Sequence, residues 1–152
     1  MKKGMRRTLT ALVLGIFFAG CTTIPGERDG MEFTEMINAG EWEVLSEGTA
    51  EPFLLDTEMI MRRSDMREFW KILAEGNFSL GETELLVIDE PAEAARYGRG
   101  LEIEQFFAKY VPEKSATFLA ESTAGRFYMT IGRDEKRNRM IYAFAGPLGK
   151  EE

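Results

Sequence analysis

The side chains that could carry chemistry in this 152-residue chain are few in kind. It has no histidine and one cysteine, so imidazole bases, imidazole metal ligands and paired thiols are not available to it. Among the carboxylates, Asp56 and Glu58 stand two residues apart in a segment predicted to be a strand, which places both on one face. Such a pair could raise the pKa of one carboxyl or hold a hard cation. An enzyme built from these residues would be a carboxylate-only glycoside hydrolase.

Cys21 follows a segment with the parts of a bacterial export signal. The cationic start is formed by Lys2, Lys3, Arg6 and Arg7. The apolar core from Leu9 to Phe18 is shorter than the roughly 20 residues that span a bilayer, and two small residues precede the cysteine. The sequence FAGC at residues 18–21 resembles the lipobox of bacterial lipoproteins. That resemblance covers residues 1–21 and implies removal of 1–20 and attachment of fatty-acyl chains, such as palmitate, to Cys21.

The residues after the cysteine predict where the protein resides. Thr22 occupies the position at which Asp favours inner-membrane retention in many diderm bacteria. We therefore expect a lipid-anchored protein of the cell envelope, at the outer membrane and exposed to the periplasm. The polar segment Thr22–Gly30 reads as a short tether, so residues 21–30 form the lipidated end and 31–152 the globular domain.

The charge balance limits the choice of partners. The chain has 19 basic and 26 acidic residues, and four basic residues but no acids precede Cys21. The chain from Cys21 onward therefore carries a net charge of −11. Such a surface repels nucleic acid, so we expect no nucleic-acid binding. The basic segment Arg133–Arg139 is the exception, and it could contact lipid headgroups or an acidic partner.

The remaining patterns predict an α+β fold, a single small domain with a mostly antiparallel sheet of about five to six strands and two main amphipathic helices. One helix presents Met66, Phe69, Trp70 and Leu73 on one face, with Ser64 or Asp65 as its cap, and the other presents Ile103, Phe106, Phe107 and Tyr110. Phe33, Met36 and Ile37 predict a short helical turn before Gly40. The predicted strands are 42–48, 53–62, 84–90, 116–122, 126–132 and 140–145, and the third is expected to be covered on both faces.

The order of a helix followed by a three-stranded meander, over Leu101 to Phe144, resembles small curved-sheet domains of the NTF2-like and cystatin-like kind. Aromatic residues in this part, Phe106, Tyr110, Tyr128 and Tyr142, suggest a surface for a ligand or partner. Of the two interpretations we favour a sheet covered by a helix on each side, with these rings in its core, over an aromatic groove.

Together these features favour a binding protein over an enzyme. We expect a non-catalytic accessory domain that needs no cofactor and no metal, and that binds another envelope protein near the membrane. The alternative is a curved-sheet pocket for a small ligand such as a lipid or a peptidoglycan fragment. The carboxylate-only glycoside hydrolase ranks third.

Overall fold

The computed structural model describes residues 25–148, with the side chains in that range other than those of residues 25 and 87–89. This part of the chain is built from four helices and six strands. They are α1 (Pro25–Ala39), α2 (Trp42–Glu47), β1 (Thr49–Leu55), β2 (Glu58–Ile60), α3 (Arg63–Glu75), β3 (Thr83–Glu90), α4 (Leu101–Tyr110), β4 (Ser115–Ser122), β5 (Gly125–Arg133) and β6 (Arg139–Leu148). A 3₁₀ turn (Ala94–Arg96) precedes α4. The predicted signal, Cys21 and the start of the tether lie outside the described residues.

The six strands form one sheet in the order β2-β1-β6-β5-β4-β3. Neighbouring strands are antiparallel except β1 and β6, which are parallel. The chain from β2 to β5 supplies the long crossover that a parallel pair requires. The predicted α+β class and the mostly antiparallel sheet are confirmed. The predicted meander is confirmed as β4, β5 and β6.

Helices cover both faces of the sheet. On one face α1, α2 and α3 bury a core that includes Phe53, Trp70, Phe118 and Phe144, each at most 2% exposed. On the other face α4 and the 3₁₀ turn bury a smaller cluster. The two clusters account for the alternation of apolar side chains along β4, β5 and β6, because successive side chains of a strand point to opposite faces.

In helix α3, the apolar spacing of the sequence correctly predicts the buried face but not the first residue. Met66 and Trp70 are buried and Phe69 and Leu73 pack beside them, as the spacing predicts. Its start differs from the prediction. The helix begins at Arg63 and makes no side-chain capping hydrogen bond, so neither Ser64 nor Asp65 is the cap.

The N-terminal third of the domain departs most from the predicted elements. Helix α1 begins at Pro25, so the predicted tether was wrong over 25–30 and the predicted short turn is a 15-residue helix. Residues 42–47 are helical, where a strand was predicted, because Leu45 buries against the core from a helical turn. The single strand predicted over 53–62 is a hairpin that turns at Asp56, whose φ is +53°.

Strand β3 is confirmed, but it lies at the edge of the sheet and pairs only with β4. The prediction of a strand covered on both faces was wrong for Glu84, which is exposed, and for Leu85 and Leu86, which are half-buried.

Candidate functional site

The aromatic residues singled out in the sequence lie in the packed layer beneath α4. Phe106 is 1% exposed, and its ring lies 5.7 Å from that of Tyr110. Tyr128 packs in the same cluster, with its ring 6.1 Å from Tyr97. These three side chains are together, but they form core between the helix and the sheet rather than an open groove.

Tyr142 lies apart from that cluster and is also buried, at 7% exposure. Its ring packs over Gly132 beside Pro112, so closely that a methyl group on Gly132 would stand 3.2 Å from Tyr142 Cε2. Burial, with a smaller contribution from the charge of Asp134, raises the pKa of Tyr142. The four predicted residues therefore do not share one surface.

A buried hydroxyl network lies in the layer beneath α4. The Tyr97 hydroxyl is 2.6 Å from Thr130 Oγ1, which is 2.9 Å from Thr117 Oγ1. Burial raises the pKa of Tyr97 far above its ordinary value, although the hydrogen bond with Thr130 acts in the opposite direction. Because the three hydroxyls satisfy one another, the network has a structural role in the core.

Of the two carboxylates considered for catalysis, one makes a structural hydrogen bond and the other is exposed to solvent. Asp56 Oδ1 accepts a hydrogen bond of 2.8 Å from the backbone N–H of Gly146, which ties the β1–β2 turn to the end of β6. Glu58 is exposed. Within residues 25–148, no group of three or more acidic or thiol side chains is arranged to hold a metal ion.

The basic segment 133–139 is the turn between β5 and β6, and two of its arginines are engaged by α1. Asp29, with a side chain only 12% exposed, lies 3.1 Å from Arg133 and 3.3 Å from Arg139. Arg139 also pairs with Glu32. The ion pairs of Arg133 and Arg139 therefore hold the first turns of α1 against the β5–β6 hairpin. The sequence did not predict this role for Asp29.

A cleft of about 510 Å³ lies between α2 and α3, and both of its arginines are engaged by neighbouring groups. Arg63 donates hydrogen bonds to the carbonyl oxygens of Ser46 and Thr49 and pairs with Glu51 at 2.5 Å. Arg67 lies 5.5 Å from the centre of the Trp42 ring. These contacts join α2, β1 and α3, so this cleft is a weak candidate for a ligand.

The strongest candidate surface is the start of β3, where a cleft lies on each face of the sheet. The first, about 350 Å³, is formed between α1 and the sheet and is lined by Met31, Glu35, Leu85 and Phe118 among others. The second, about 380 Å³, is on the α4 side and is lined by Glu82, Thr83, Glu84, Leu119 and Glu121. Glu82 and Thr83 border both clefts. We call residues 82–85 and these two clefts the β3 edge surface.

Backbone groups of the β3 edge surface face outward. Glu121 donates its N–H to the carbonyl of Glu82, and Glu84 lies opposite Leu119 in the register. Since residues in an antiparallel pair alternate between bonding to the partner and facing away, the N–H and C=O groups of Thr83 and Leu85 point away from β4. An open edge of this kind can receive an additional strand.

The β3 edge surface is also strongly acidic. Five carboxylates that line its clefts make no ion pair within residues 25–148; they are Glu27, Glu35, Glu82, Glu84 and Glu121. Arg126 lies opposite Glu121 in the β4–β5 register. The sequence signal that could have shown a solvated face is the alternation of Glu82 and Glu84 with Thr83 and Leu85, because antiparallel strands with one face in solvent alternate in this way.

Comparisons with known proteins assign no family. No family model matches the chain, and no curated protein matches it significantly. None of the helices within residues 25–148 is both long and apolar enough to cross a membrane.

Proposed function

We propose that this protein is a lipid-anchored accessory protein of the bacterial cell envelope, and that it binds an extended, basic segment of another envelope protein by strand addition at the β3 edge surface. The observation that carries the proposal is the pair of clefts on opposite faces of the same open strand. Acylation at Cys21 would keep the domain close to membrane-associated partners.

The geometry of an added strand fits the two clefts. Successive side chains of a strand point to opposite faces about 3.3 Å apart along its axis. A strand that pairs with Thr83 and Leu85 would thus place alternate side chains toward the α1-side cleft and the α4-side cleft. Main-chain hydrogen bonds would supply much of the affinity, and the clefts would select the side chains.

Charge defines the class of side chain that these clefts select. Glu35 and Glu82 line the α1-side cleft, and Glu82 and Glu84 line the other. Lysine or arginine side chains would extend their apolar stems along Met31 and Leu85 and place their charges at these carboxylates. An acidic segment would meet uncompensated repulsion.

The test uses a synthetic peptide, Lys-Val-Lys-Thr-Lys-Val-Lys, with Glu-Val-Glu-Thr-Glu-Val-Glu as its matched control. The chain from residue 21 onward, with Cys21→Ser, is titrated with each peptide while backbone amide resonances are followed by NMR. We expect the basic peptide to shift and protect the amides of Thr83 and Leu85, and the acidic peptide to have no effect. Binding without protection of these two amides would show attraction by charge and contradict strand addition.

Two variants separate the backbone from the charge contribution. Thr83→Pro removes an outward N–H without removing a hydrogen bond to β4, so the fold is retained and peptide affinity is expected to fall by about tenfold or more. Glu82→Lys with Glu84→Lys is expected to weaken binding by about tenfold, since two ion pairs are replaced by repulsion. The control, Glu102→Lys with Glu104→Lys on the exposed face of α4, makes the same charge change away from the β3 edge surface and should alter affinity by no more than about twofold.

A further inference from the structure

The position at which the chain enters the domain limits how the domain can sit on a membrane. This inference rests on acylation of Cys21 as proposed above. Helix α1 begins at Pro25, four residues after Cys21. At no more than about 3.6 Å per residue, the start of α1 lies within about 14 Å of the anchored residue. The end of the domain that contains the start of α1 must therefore face the bilayer.

Three segments surround that end. A cleft of about 350 Å³ is lined by Gly26 and Asp29 of α1, by Pro112 and Lys114 after α4, and by Arg133 and Arg137 of the β5–β6 turn. Ala116 and Ile131 contribute apolar surface to the same cleft. We define the anchor-end face as residues 25–32, 111–115 and 133–139.

The anchor-end face differs in charge from the rest of the domain. It contains six basic residues, Arg28, Lys114, Arg133, Lys136, Arg137 and Arg139, and six acidic residues, Glu27, Asp29, Glu32, Glu113, Asp134 and Glu135. The remaining described residues include eight basic and 18 acidic ones, a net charge of −10. The face nearest the anchor is therefore neutral in a domain that is otherwise strongly acidic.

Ion pairing within the anchor-end face leaves particular cations available. Asp29 and Glu32 are occupied by Arg133, Arg139 and Arg28. Among the described residues, no carboxylate lies within ion-pair distance of Lys114, Lys136 or Arg137, and all three are exposed. Lys114 and Arg137 line the cleft beside the start of α1.

We propose that the anchor-end face rests on the anionic phospholipid surface of the membrane that holds the acyl chains, with Lys114, Lys136 and Arg137 at the lipid phosphates. Basic residues near a bilayer are attracted to anionic headgroups within about a Debye length. The acidic remainder of the domain is repelled by the same surface. Both effects favour a single orientation, in which the β5–β6 turn contacts the headgroups.

The test does not depend on acylation in cells. Cys21 is the only cysteine, so the chain from residue 21 onward can be coupled there to a maleimide-bearing phospholipid in vesicles. Hydrogen exchange of the amides at 133–139 is then compared on vesicles that contain phosphatidylglycerol and on vesicles of phosphatidylcholine alone. We expect exchange at Glu135 and Lys136 to slow several-fold on the anionic vesicles only, and the effect to shrink as salt is raised.

Matched variants locate the contact. Lys114→Glu with Arg137→Glu should abolish the protection, whereas Arg62→Glu with Arg99→Glu, an equal charge change at exposed positions away from the anchor-end face, should leave it in place. Equal exchange on both kinds of vesicle, or equal loss in both variants, would overturn the proposal. Failure of Cys21 acylation in cells would instead show in the mass of the native protein and would leave this result unchanged.

Discussion

At the scale of single residues, Asp29 joins two parts of the chain that are about 100 positions apart. Its carboxylate is almost buried and lies within 3.3 Å of a guanidinium nitrogen from each side of the β5–β6 turn. Asp29 therefore contributes to the attachment of α1 to the sheet.

Replacing Asp29 with alanine should lower the free energy of unfolding by about 1–2 kcal/mol, because two arginines lose a largely desolvated partner. Glu75→Ala is the matched control. It removes an exposed pair with Lys71 at 3.9 Å and should cost no more than about 0.5 kcal/mol. Urea denaturation of both variants measures the difference, and equal values would show that the Asp29 pairs are as weak as surface pairs.

Tyr97 makes stability depend on pH in the alkaline range. Burial holds its pKa in the folded state above the value of about 10 that it has when unfolded. Its contribution to stability is complete below that pH. Above it the unfolded chain loses the phenolic proton while the folded chain keeps it, so stability falls as pH rises. Tyr142 acts in the same direction.

Urea midpoints at about pH 9 and about pH 11 test this expectation. The wild-type chain should lose more stability over this interval than Tyr97→Phe. At the lower pH the variant itself should be less stable by about 1 kcal/mol, because the hydrogen bond to Thr130 is lost. The same loss between the two pH values in both proteins would contradict a buried, protonated Tyr97.

At the scale of elements, α1 crosses the sheet at a glycine. A methyl group on Gly30 would stand 2.8 Å from Phe118 Cδ1 and closer still to two other atoms of that ring. Gly30 thus allows the helix backbone to approach β4. This approach explains a glycine within a 15-residue helix, where it would otherwise be unfavourable.

Gly30→Ala should destabilise the protein by about 1–3 kcal/mol despite the higher helix propensity of alanine, since Phe118 is 1% exposed and cannot move aside freely. Gly81→Ala is the control. Its added methyl group would meet nothing nearer than the Glu121 carbonyl at 3.6 Å, and its effect should stay within about 0.5 kcal/mol. A stabilised Gly30→Ala variant in thermal unfolding would show that α1 is not held against β4.

The elements that could be predicted from the sequence are those in which apolar residues recur at a regular spacing over several turns or strands. Helices α3 and α4 and the three-stranded meander are confirmed, because Met66, Trp70, Ile103 and Phe106 repeat at helical spacing and the strands are separated by turn residues. Residues 42–47 were predicted wrongly. This segment is only six residues long. The packing of Leu45 against the core outweighs the preference of Trp42 and Val44 for strands.

The candidate surface could be predicted only in part, because it depends on which strand lies at the edge. A run of branched residues over 85–88 is compatible with a central strand or an edge strand. The parallel pairing of β1 with β6 places β3 at the edge, and local sequence does not encode that pairing. Likewise, the sequence showed the basic turn 133–139 but not the ion pairs that join it to α1.

At the scale of the whole molecule, the proposed anchor, the anchor-end face and the β3 edge surface form one arrangement. Ser115 lines the cleft beside the start of α1, and it lies opposite Glu90 in the register of β3 with β4. The C-terminal end of β3 is therefore near the start of α1, and Thr83 is at the opposite end of the strand. Glu27 and Met31 belong both to the anchor-end face and to the α1-side cleft, so a partner strand added at the β3 edge surface would lie beside the face that is proposed to rest on the bilayer.

The measurement that tests this account most directly is the intact mass of the protein purified from its native membranes, beside a Cys21→Ser variant. We expect the wild-type protein to lack residues 1–20 and to gain the mass of fatty-acyl chains on Cys21, and we expect the variant to carry no acyl chain. A wild-type protein that retains residues 1–20, or that lacks any acyl chain, would contradict the membrane anchor and with it the proposed function.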